Sequence, residues 1–63
     1  MNIHEKAFCT LLKKKHELVE RRHQILNKIK NGNKNLINDY LDVDHELRTI
    51  EEAISMMTKV LTA

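Results

Sequence analysis

Gly32 is the only glycine in a chain of 63 residues that contains no proline. The backbone therefore has one place at which it can readily reverse, and helix-breaking residues are otherwise absent. Gly32 stands between Asn31 and Asn33, with Lys28 and Lys30 just before it. That order fits the end of a helix: glycine takes the left-handed position past the C-terminus, and cations in the last turn meet the negative end of the helix dipole. The spacing predicts an all-α fold in one domain, residues 1–63. It is an antiparallel two-helix hairpin with coiled-coil-like packing, helix 1 over about 3–31, a turn at Asn31–Asn33 and helix 2 over about 35–61. Asn2 is the expected cap of helix 1, with Glu5 in its first turn, and Asn33 or Asn35 the expected cap of helix 2. Each arm of about 25–28 residues would be about 40 Å long.

The second half carries the stronger pattern. Leu36, Tyr40, Val43, Leu47, Ile50, Ile54, Met57 and Leu61 recur at alternating steps of four and three without a gap. This is the seam of a helix packed lengthwise on another. Towards its end the seam widens as Ala53, Met56 and Val60 join it, giving more apolar surface than one partner helix covers. The part through Leu47 suffices to close the hairpin, and the part from Ala53 to Leu61 reads as a docking surface. Helix 1 has apolar doublets seven apart, Leu11-Leu12, Leu18-Val19 and Ile25-Leu26, with Phe8 and Ile29 at intervening seam positions. Lys15 and Arg22 occupy the remaining seam positions. They either snorkel, stem on apolar surface and head in water, or pair with acids of helix 2 or of a partner. In a hairpin, Ile54, Met56, Met57, Val60 and Leu61 would gather with Ile3, Ala7, Phe8 and Leu11 at the open end.

A chain of this size buries only about 60% of its unfolded surface, so association is the expected source of further stability. Cys9 is the single cysteine, which rules out an internal disulfide and suggests a reducing compartment. No apolar run is long enough to span a membrane, and the first residues lack the apolar core of a secretory signal. The expected location is the cytoplasm. Residues 1–31 carry eight Lys/Arg against three Glu, a balance of +5, whereas residues 34–63 carry three Lys/Arg against six acids, a balance of −3. Opposite charges on the two halves favour folding back, by at most about 1 kcal/mol per exposed pair.

Little in the sequence supports chemistry. Cys9 and His16 are seven residues apart on one helix, about two turns, beyond reach of a thiol–imidazole hydrogen bond. His4, His16, His23 and His45 are scattered and do not form a metal-ligand pattern, and one glycine cannot build a phosphate loop. No catalytic residue, metal or cofactor is expected. Lys13-Lys14-Lys15-His16 and Arg21-Arg22-His23 offer a basic face to phosphates. Glu17 and Glu20 interrupt it, and no aromatic residue accompanies it for stacking, so nucleic acid is the disfavoured partner. A homodimeric four-helix bundle that binds RNA or a protein remains an alternative.

The segment Tyr40, then Ile50-Glu51-Glu52-Ala53-Ile54-Ser55-Met56-Met57, following the turn at Gly32, resembles the small helical-hairpin co-chaperones of type III secretion needle subunits (the YscE/PscE-like family). The likeness covers roughly Gly32 to Val60. It implies a non-enzymatic protein of the bacterial cytoplasm. Such a protein binds and stabilises a tetratricopeptide-like helical-repeat co-chaperone, and helps keep the needle subunit soluble and monomeric. On this reading Tyr40, Ala53, Met56 and Val60 meet the partner. Phe8, Leu11, Leu18, Ile25, Leu47, Ile50, Ile54, Met57 and Leu61 form the hairpin seam, Gly32 makes the turn, and a homo-oligomer is possible when the protein is isolated. A weaker likeness is to sporulation-type aspartyl-phosphate phosphatases, through Glu46 and Leu47 only; Arg48 stands where that chemistry needs an acid.

Overall fold

The computed structural model describes residues 3–62. Two helices, α1 (Ile3–Lys30) and α2 (Ile37–Thr62), are joined by a turn and a single 3-10 turn at Lys34–Leu36. The molecule measures 46 × 17 × 13 Å. Twenty-eight residues of α-helix are about 42 Å long, so the helices lie alongside each other rather than end to end. Asn2, the expected cap of α1, lies outside the described residues.

The turn at Gly32 is built from backbone geometry. Gly32 has φ +109°, and no other described residue has a positive φ. The Gly32 N–H donates to the Ile29 carbonyl at 3.0 Å and the Asn33 N–H to the Lys28 carbonyl at 3.0 Å. This crossed pair is the Schellman arrangement, which satisfies carbonyls that the end of a helix would leave without partners. Helix 2 begins later than expected, at Ile37 rather than near residue 35. Asn33 precedes the 3-10 turn but makes no side-chain capping bond. Instead the Leu36 N–H donates to the Asn33 carbonyl at 3.2 Å, and the Ile37 N–H to the Lys34 carbonyl. Tighter i→i+3 bonds thus do the work of a cap at the start of α2.

No atom lies within 4 Å of where a Cβ on Gly32 would sit, so the objection to a side chain there is conformational rather than steric. Gly32→Ala should therefore lower stability by about 1–2 kcal/mol, with Gly32→Asn nearer to wild type. Urea denaturation followed by circular dichroism would measure both; equal midpoints for wild type and Gly32→Ala would show that the turn does not depend on glycine.

The core is small and sits between the middle of the helices and the turn. Leu18 and Ile25 of α1 close on Val43 and Leu47 of α2, and Leu47 is fully buried. Ile29, Leu36, Tyr40 and Ile50 pack around them. Along each helix these residues stand at helical spacing.

Candidate docking surface

Two flanks of the helix pair are distinguished by what lines them. On one, Arg22 Nη1 donates to Asp44 Oδ1 at 2.8 Å, across the helix interface. Asp44 also receives Arg48 Nε on Oδ2 at 3.1 Å, one turn along α2. Asp44 thus bridges an arginine of each helix. Val19, Arg22, His23, Leu26 and Tyr40 line a shallow groove on this same flank. On the opposite flank, Lys14, His45, Glu46, Thr49 and Ile50 line a second shallow groove. Stepping seven residues along α2 from Glu46 and Thr49 reaches Ala53 and Met56, and fourteen from Glu46 reaches Val60. Residues seven apart share a helix face. The apolar surplus of α2 therefore emerges on the second flank, and the Leu12–Val19–Leu26 surplus of α1 on the first.

The residues expected to hold the helices together fall as follows. Leu18, Ile25 and Leu47 are buried, and Phe8, Leu11, Ile50, Ile54 and Met57 are half-buried. Leu61 is 39% exposed, so the seam opens at its last position. Among the residues expected to meet a partner, Met56 is 68% and Val60 66% exposed. Ala53 is half-buried beside them. Tyr40 is half-buried, packs against the core cluster and also lines the first groove. At the start of α1, Ile3 and Ala7 are exposed while Phe8 and Leu11 are half-buried.

Of the two seam cations, Arg22 pairs across to Asp44 as the sharper expectation had it. Lys15 is half-buried and makes no ion pair among the described residues, in keeping with a snorkelling stem. Asp44 is a residue that the sequence pattern did not single out from the six acids of residues 34–63. Its signal was available: it lies four residues before Arg48 on one helix, next to the core position Val43.

Cys9 is a half-buried free thiol, and exposed His16 lies 3.7 Å from Glu20 in the same helix rather than facing the cysteine. Among the described residues no three His, Cys, Asp or Glu side chains are grouped to hold a metal ion. No described helix is long and apolar enough to cross a membrane. In comparisons with known proteins, no family model matches the chain, and neither a curated protein nor a solved structure matches it.

Proposed function

We propose that the chain is an antiparallel helical hairpin with coiled-coil-like packing that acts by binding another protein and performs no chemistry. In its most concrete form it is a cytoplasmic co-chaperone of a bacterial type III secretion system. There it would bind a tetratricopeptide-like helical-repeat chaperone and help hold the needle subunit as a soluble monomer. The observation that carries this reading is the exposure of Met56 and Val60, at 68% and 66%, on the helix end where the sequence likeness lies. Methionine is unbranched and repacks against differently shaped surfaces. A large apolar residue fully buried on a partner contributes about 1.5–3 kcal/mol, so a few such anchors hold a complex.

Co-expression with a needle subunit and its helical-repeat chaperone tests the proposal. The three should co-purify, and Met56→Glu or Val60→Glu should remove the hairpin from the complex while leaving its helicity unchanged. Charged variants that unfold the isolated chain yet spare the complex would make Met56 and Val60 core residues. Absence of any complex with such a pair would remove the co-chaperone assignment itself.

A further inference from the structure

We infer that the flank formed by Leu12, Val19, Leu26, Ile37 and Leu41 is a self-association face, on which a second copy of the chain packs with its α1 antiparallel to the first. This face is separate from the Met56–Val60 surface and does not depend on the function proposed for it. Leu12 is 41%, Val19 38%, Ile37 47% and Leu41 56% exposed, and Leu26 is half-buried. Val19 and Leu26 line one groove with Arg22, and Leu12 is seven residues before Val19. Ile37 and Leu41 lie seven and three residues before Asp44, which Arg22 bonds on this flank, so they widen the same strip near the turn.

Two features point to a second copy as the occupant. The first is area. The chain exposes 5134 Å². A compact monomer of 7.4 kDa exposes about 4,200 Å². The excess of about 900 Å² is close to the roughly 800 Å² that each side of a standard interface buries. The radius of gyration, 14.5 Å, likewise exceeds the roughly 11 Å of a compact chain of this length. Stacking a second thin pair of helices on the flank reduces both, as in a four-helix bundle.

The second feature is self-complementarity. Leu12 and Leu26 stand at equal seven-residue steps on either side of Val19. A two-fold axis through Val19 sets Leu12 against Leu26 of the second copy, and Val19 against itself. That is the isologous contact of a two-fold dimer. Arg22, at the border of the strip, comes to it already paired with Asp44, which lowers the charge that two basic helices would bring together.

Sedimentation equilibrium of the full chain over a wide concentration range tests this. Wild type should reach twice the chain mass. Val19→Glu should weaken association by about tenfold or more, with unchanged helicity by circular dichroism, because a charge would sit at the centre of the contact. Val60→Glu, on the other flank, should leave the dimer intact. Val19→Cys combined with Cys9→Ser should give a covalent dimer on mild oxidation, since a residue on the axis meets its own copy. A wild-type chain that stays monomeric, a dimer that survives Val19→Glu, a dimer dissociated by Val60→Glu, or a dimer that the introduced thiol fails to cross-link would each overturn the proposal.

Discussion

Leu47→Ala should bring the chain to the edge of unfolding. Leu47 is fully buried at the centre of the core, against Leu18, Ile25 and Val43. Removing its branched end takes away transfer free energy and leaves a cavity, together about 2–5 kcal/mol for a buried leucine. A chain of 63 residues has in total about 3–9 kcal/mol of stability, at 0.05–0.15 kcal/mol per residue. The loss is thus comparable with the whole. Val60→Ala, on a residue 66% exposed and outside the self-association face, is the control and should change stability far less. Thermal and urea midpoints by circular dichroism, taken at one fixed protein concentration because association would shift them, give the comparison. Similar midpoints for the two variants would mean that the core is not centred on Leu47.

The second large effect is an asymmetry around Asp44. Its side chain is 20% exposed and that of Arg22 34% exposed. Asp44→Ala leaves the half-buried Arg22 without its acceptor and sets it near Arg48, also deprived of its partner. Hydrogen bonds to charged groups contribute about 1.5–3 kcal/mol, so a loss of about 1–3 kcal/mol is expected. Arg22→Met acts differently. Asp44 keeps Arg48, no charge is stranded, and an apolar side chain enters a seam position beside Leu18 and Ile25. Because Arg48 still compensates the Asp44 carboxylate, the midpoint should move by less than about 1 kcal/mol. The double variant Arg22→Met/Asp44→Ala isolates the coupling. If Asp44→Ala proved as mild as Arg22→Met, the bridge would be a surface pair of no consequence.

Much of the architecture was legible because few residue types can do what it requires. Only glycine adopts the backbone angle at Gly32 without strain, and a gapless run from Leu36 to Met57 leaves one face of α2 free to pack inward. The start of α2 was less legible. Asparagines are good caps, and nothing in the composition says that the backbone would instead close a 3-10 turn with its own carbonyls. Arg22 illustrates a different limit. A cation at a seam position has two good solutions, water or an acid across the interface. Which one it finds depends on the register between helices, which sets Arg22 beside Asp44. Register also decides which flank each doublet faces. For that reason the surpluses of α1 and α2, which look alike as sequence, form two separate surfaces. Tyr40 shows the same dependence: its place in a motif does not distinguish a ring on the core from one turned to a partner.

The buried residues Leu18, Ile25, Val43 and Leu47 all lie between the middle of the pair and the turn, whereas the end of α2 carries Met56 at 68%, Val60 at 66% and Leu61 at 39% exposure. Thr58 and Thr62 there turn their hydroxyls back onto the carbonyls of Ile54 and Thr58, at 2.8 and 2.7 Å, a bond that slightly weakens and bends a helix. Amide hydrogen exchange should accordingly grade along the molecule, slowest around Val43–Leu47 and fastest beyond Met56. A partner gripping the fast-exchanging end would have to order it first. Part of the contact energy would be spent on that ordering, so the complex would be more readily reversible than its apolar area suggests. Protection gained beyond Met56 would then report occupancy directly, residue by residue, without any change in the fold.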